Sequence, residues 1–250
     1  MADEALRRFA EANCAELAQS DLARAVEKSL GIDVAVDDLG DGIDGLAWSR
    51  GSFRLVLVNS RTAWTRQLFT IAHEVGHIIP GDAQELRLDL DVMSPTGRRQ
   101  ASEMRANAFA ANLLMPAAYL RERAAEGVDD DMFATLLGEL KVSPSALAWR
   151  LLNLGLIASE RREQLDATSL QSAAMRGNWI PRYRELMGHQ ARSRVPHILA
   201  NQALSAYAKG EISVRPLAAV LGVPAESLLT TPVVPPEPGT APTDEPAFAP

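Results

Sequence analysis

Cysteine is almost missing from this 250-residue chain, which has only Cys14. A disulfide framework is therefore excluded, and a lone thiol points to a reducing, cytoplasmic compartment. Lysine is scarce, with three residues, and the net charge is −7. No dense basic cluster is present, so nucleic-acid binding is not expected as the main activity of the whole chain. Long apolar runs are also missing: none approaches the roughly 20 residues of a membrane span. The opening MADEALRRFA leads into no apolar signal segment, so secretion is not expected either. No repeat of fixed period occurs. What remains is 47% hydrophobic residues, which excludes wholesale disorder and is enough for one or two domains with a real core.

Charge is unevenly spread. Residues 1–131 hold 14 basic and 22 acidic side chains, whereas residues 132–250 hold 11 and 10. Periodicity and turn residues predict a helix over 3–30, stopped at Gly31, and strands over 32–36, 43–48 and 53–58. A turn at Ser49-Arg50-Gly51-Ser52 joins the last two strands. Helices follow over 63–79 and 100–115, separated by a polar, irregular stretch over 80–98. Two helix–turn–helix-like pairs come next: 129–140 with 143–154, where Ser143 is placed to cap and Pro144 to open the second helix, and 197–208 with 214–221 around Gly210. The last 20 residues contain 7 of the 15 prolines and read as a disordered tail.

Histidine is the informative scarcity. Of only four, at positions 73, 77, 189 and 197, two lie four residues apart in His73-Glu74-Val75-Gly76-His77. Residues i and i+4 share a helix face, so two imidazoles there can hold one tetrahedral zinc. Glu74, rotated off that line, stays near enough to take a proton from water. A hydrolytic zinc needs a third protein ligand and an open position. The metzincin spacing would need Gly and His at positions 80 and 83, which are Pro80 and Ala83, so that form is excluded. Asp82, Glu85, Asp89, Asp91 and Glu103 are acidic candidates. Glu103 and Asn107 share one face of an otherwise apolar helix, where buried polar groups need partners. A metal would satisfy Glu103, and a ligand histidine's free N–H would satisfy Asn107. Glu103 is equally at home as a surface carboxylate in a first helical turn, and the residues alone leave both readings open.

From Arg66 to Pro116 the chain closely resembles the ImmA/IrrE family of zinc metallo-endopeptidases. The resemblance is carried by Arg66-Gln67-Leu68-Phe69-Thr70-Ile71-Ala72 leading into the HExxH motif, and by Glu103-Met104-Arg105-Ala106-Asn107-Ala108-Phe109-Ala110 continuing to Leu113-Leu114-Met115-Pro116. It is weaker, but present, in the preceding strands and in residues 142–157. The resemblance implies an α+β, zincin-like metallopeptidase domain over 1–125, a helical extension with helix–turn–helix-like pairs over 126–230, and the tail over 231–250. It also implies a gluzincin-type site: His73, His77 and Glu103 on zinc, Glu74 as general base, and Asn107 bonded behind a ligand. The activity implied is peptide hydrolysis in which Glu74 moves a proton from water to the leaving amine. The implied partner is a helix–turn–helix repressor whose cleavage induces phage, mobile-element or stress genes. Tyr119, Tyr183, His189, His197 and Tyr207 are unranked candidates for an oxyanion donor. Strand 53–58 is expected to form the sheet edge over the metal cleft and to take an extended substrate by strand addition.

A competing reading treats the chain as a DNA- or repressor-binding regulator with little proteolysis. Between Lys141 and Arg215 there are 11 basic and 5 acidic side chains, which is equally what a solvated helical surface shows. A purely structural zinc is disfavoured, since such a site has no use for a base at position 74 and no cysteine is placed to close it.

Overall fold

The computed structural model describes residues 21–79, 87–89 and 101–229. The first helix, α1, spans Leu22–Leu30. Asp21 caps it, its carboxylate accepting the amides of Ala23 at 3.0 Å and Arg24 at 3.3 Å. Gly31, with φ of 62°, ends it in the left-handed conformation that favours glycine. The helix expected over 3–30 is thereby corrected at its start: an N-cap at Asp21 needs extended backbone, so no single helix runs through it. Residues 3–20 lie outside the described residues.

Strands β1 (Asp33–Asp37), β2 (Gly45–Arg50), β3 (Phe53–Asn59) and β4 (Arg87–Asp89) form a four-stranded sheet among the described residues, in the order β1-β3-β2-β4. β1 runs parallel to β3, and β2 is antiparallel to both β3 and β4. The β2–β3 hairpin pairs Arg50 with Phe53 across Gly51-Ser52, and Gly51 takes the positive φ that a two-residue turn needs. Two expectations are corrected here. The strand over 53–58 is not an edge: it is bonded on both sides, by β1 and β2, so it has no free ladder to offer a substrate. The stretch 80–98 is not wholly irregular, because residues 87–89 pair with β2.

Helix α2 (Trp64–Ile78) follows β3. Val34, Val56 and Val58 of the sheet pack with Val26 of α1 and with Ile71, Val75 and Ile78 of α2. Helix α3 (Ala101–Leu114) adds Ala110 and Leu113 to this first core. A second core begins where α3 ends. Helices α4 (Ala117–Arg123), α5 (Asp130–Leu140) and α6 (Pro144–Asn153) bury Leu120, Phe133, Leu137, Leu147 and Leu151 completely or nearly so. Each such side chain stabilises by about 1.5–3 kcal/mol. Asp129 and Ser143 cap α5 and α6, with Pro144 in the first turn of α6.

Helices α7 (Ser159–Asp166), α8 (Leu170–Arg176) and α9 (Ile180–His189) complete this part. The sequence predicts no element over 159–189; here α7 buries only Leu165, α8 buries Ala173 and Ala174, and α9 buries nothing completely. The described residues up to Arg194 form one compact unit, and those from Val195 form a second. The second contains α10 (His197–Ala208), α11 (Val214–Leu221) and α12 (Ala225–Leu229), the first two at their expected positions. The whole is an α+β, zincin-like domain followed by a helical C-terminal region. No helix of the described residues is long and apolar enough to cross a membrane. The proline-rich residues 231–250 lie outside the described residues.

Candidate metal centre

The HExxH residues sit in the C-terminal half of α2, and the segment from Thr70 to Ile78 is buried throughout. Two upstream side chains fix where this helix starts. Arg66 ion-pairs with Asp44, at the entrance to β2. The Gln67 amide nitrogen donates to the carbonyls of Thr62 at 2.9 Å and Gln190 at 2.8 Å, and lies 3.3 Å from that of Ser60. These bonds tie α2 to the loop before it and to the end of α9.

His73 and His77, one turn apart, are both nearly inaccessible to solvent. Their rings meet edge to face with centroids 4.7 Å apart, and Phe69 stacks on the far side of His73. Nε2 of His77 lies 3.0 Å from Nε2 of His73. The third member comes from α3. Oε2 of Glu103 is 3.3 Å from each of those nitrogens, and Glu103 is itself buried. Behind His73, Nδ1 is 3.1 Å from Oδ1 of Asn107. An amide oxygen can only accept, so Nδ1 carries the hydrogen and the Nε2 lone pair points at the cluster.

This donor set fits a metal ion. Four ligands at about 2.0 Å around a tetrahedral ion stand about 3.3 Å from one another, and the three separations here are 3.0, 3.3 and 3.3 Å. Among the described residues, His73, His77 and Glu103 are the group of histidines and carboxylates placed to hold a metal. Glu74 is buried beside them on α2. Of the other acidic candidates, Asp89 falls in β4, while Asp82, Glu85 and Asp91 lie outside the described residues.

A residue without an assigned role in the sequence proves essential to the geometry. A methyl group at Gly76 would lie 3.0 Å from Cα of Ala106 and from Cδ1 of Phe109, and 3.3 Å from the Ala106 carbonyl. Gly76 and Ala106 thus let α2 and α3 approach closely, and that approach brings Glu103 to the histidines. The available signal was a glycine inside a helix, which costs about 1 kcal/mol relative to alanine and asks for a packing reason. Gly76→Ala is expected to destabilise the fold by about 1–3 kcal/mol through overpacking. It is also expected to weaken metal binding, read by thermal melting and by competition with a chromogenic chelator. Wild-type values for both would show that the helices have slack there.

The oxyanion candidates scatter. Tyr119 hydrogen-bonds Glu139 in the second core, and burial followed by that bond pushes its hydroxyl up to about 12. Tyr183 packs edge-on against Trp179. His189 ends α9, and His197 and Tyr207 belong to α10 in the second unit.

No curated protein matches the chain. The family model of the IrrE N-terminal-like domain, of peptidase family M78, matches residues 27–152, half of the chain. The matched stretch contains both α2 and α3, with every member of the buried His-His-Glu cluster, and the chain belongs to the ImmA/IrrE family of metallopeptidases.

Proposed function

We propose that the chain is a zinc-dependent endopeptidase in which His73, His77 and Glu103 bind zinc and Glu74 is the general base. The observation that carries this reading is the triangle of Nε2, Nε2 and Oε2 atoms with tetrahedral edge lengths. Two nitrogens and one carboxylate oxygen leave a position open for chemistry and suit zinc. When bound, zinc supplies Lewis acidity toward the scissile carbonyl and the attacking water. Asn107 holds His73 in one tautomer and ring orientation by accepting from Nδ1–H. The Glu74 carboxylate takes a proton from the attacking water as its oxygen bonds to the carbonyl carbon. Glu74 then returns that proton to the amide nitrogen as the C–N bond breaks. Burial of His73, Glu74, His77 and Glu103 keeps bulk water from competing for their hydrogen bonds.

The proposed substrate is a helix–turn–helix repressor encoded beside the chain, whose cleavage induces phage, mobile-element or stress genes, as the family resemblance implies. The competing DNA-binding reading loses weight from the use of the basic side chains. Arg161 pairs with Asp130, Arg176 with Asp131, and Arg194 with Glu27. Arg162 pairs with Asp166 and lies over the Trp149 ring, and Arg150 bonds Asn112 and the Met115 carbonyl. Metal analysis of the purified full chain should find about one zinc per chain (one three-ligand site). Incubation with the neighbouring repressor should cut it in a reaction that a chelator stops. Metal-free protein, or a repressor left intact by the zinc-loaded chain, would overturn the assignment.

A further inference from the structure

Thr70 lies on α2, one turn before the HExxH residues, and is completely buried. Its hydroxyl oxygen has no hydrogen-bond partner among the described residues. A threonine inside a helix often returns its hydroxyl to a carbonyl three or four residues earlier, and this one does not. A buried polar atom left unpaired carries its full desolvation cost, whereas valine would fill the same shape without that cost. Packing accounts for the methyl group of Thr70: a Cβ at Gly45 of β2 would overlap it, so the glycine there leaves it room. Packing gives no reason for the hydroxyl.

The position on the helix supplies one. At 100° per residue, Thr70 lies between His73, about 60° away, and Glu74, about 40° away. His73 directs its ring nitrogens to Asn107 and to the cluster. Glu74 brings a buried carboxylate. Helical side chains lean toward the helix N-terminus, over the residue four places earlier, and for Glu74 that residue is Thr70. Cβ atoms at this spacing stand about 6 Å apart, a gap that a glutamate side chain spans by rotation about its own bonds. An ionised carboxylate only accepts, so the hydroxyl is the donor. We propose that Thr70 is a positioning residue for Glu74: its hydroxyl donates to one oxygen of the Glu74 carboxylate and leaves the other for the attacking water. This rests on the reading of Glu74 as general base. A carboxylate held at one oxygen stays aimed at the proton it must take, and orientation of that kind contributes to the rate rather than to substrate affinity.

Two variants of the full chain separate the parts of this side chain. Thr70→Val keeps the shape and removes the hydroxyl, and Thr70→Ser keeps the hydroxyl and removes the methyl group. On the repressor substrate, Thr70→Val is expected to lower kcat by at least about tenfold, the size of one hydrogen bond to a charged group. KM and zinc content should stay near wild type, and Thr70→Ser should keep most of the wild-type kcat. A second measurement needs no substrate: urea unfolding of the wild-type chain, Thr70→Val, Glu74→Met and the double variant. Thr70→Val should raise the unfolding constant about tenfold more in the wild-type background than in the Glu74→Met background, where the hydroxyl has lost its acceptor. A wild-type kcat in Thr70→Val, or an equal effect of Thr70→Val on unfolding in both backgrounds, would overturn the proposal. Coupling in a chain that leaves the repressor intact would keep the Thr70–Glu74 bond and overturn the peptidase reading instead.

Discussion

Replacing Glu74 with glutamine is expected to cut the turnover of a protein substrate by at least about 100-fold, the lower range for a lost general base. Zinc content should stay near one per chain. Glutamine matches glutamate in shape but cannot accept a proton from water. Glu74 is not among the three atoms whose separations fit a metal, so its charge is not needed to hold one. Its side chain is 1% exposed, and an isosteric replacement leaves the surrounding packing of Val75, Ala72 and Ile78 in place. The measurements are kcat/KM on the cleaved repressor and metal analysis of the same preparation. Equal cleavage by the variant would remove Glu74 from the chemistry. Loss of zinc together with cleavage would mean that Glu74 helps hold the metal. Glu103→Gln should behave in the opposite way, losing metal affinity first, because Oε2 of Glu103 closes the triangle with both histidines.

The second large effect is one of stability. Arg194→Met is expected to destabilise the fold by about 3–5 kcal/mol, the cost of breaking a buried ion pair by removing one partner. Arg194 meets both oxygens of Glu27 on α1, at 2.7 and 2.6 Å. Glu27 is 7% exposed, and its Oε1 also accepts the amide of Val34 in β1 at 3.2 Å. The guanidinium donates to the Val34 carbonyl too, and the Arg194 backbone exchanges two hydrogen bonds with Val36, at 2.8 and 3.0 Å. Arg194 therefore covers the free edge of β1, which would otherwise offer unpaired amides and carbonyls to another chain. Methionine keeps the stem and the backbone bonds but leaves a buried carboxylate unpaired. Urea unfolding of wild type, Arg194→Met, Glu27→Gln and the double variant forms the cycle that isolates the pair. The double variant should recover much of the loss, because it leaves no uncompensated charge. An Arg194→Met midpoint near that of wild type would show that water reaches Glu27 and replaces the arginine.

Several features were legible in the residues because their causes are local. The i, i+4 histidines needed only a helix, and the apolar spacing of residues 63–79 supplied one at nearly its observed bounds. Ser143 and Pro144 marked the start of α6, and Gly51 marked the β2–β3 turn, because capping and positive φ depend on a few neighbouring side chains. Polar helices were not legible. α7 reads SERREQLD and buries one leucine, so its helicity rests on docking against the second core rather than on an apolar stripe of its own.

By itself, then, the sequence determined that two imidazoles would share a helix face with a glutamate beside them, and that the chain would be an α+β protein with a helical C-terminal region. The residues alone left open which carboxylate joins the histidines, and they pointed to the wrong strand, 53–58, as the edge. Those were decided by tertiary structure: by the close approach of α2 and α3 at Gly76 and Ala106, which delivers Glu103, and by the pairing of β1 and β2 on either side of β3. The physical reason is the same in both cases. Periodicity and capping report on residues within a turn or two of each other. The contact between two helices or two strands far apart in the chain depends on how small side chains and ladder bonds fit once the core has closed.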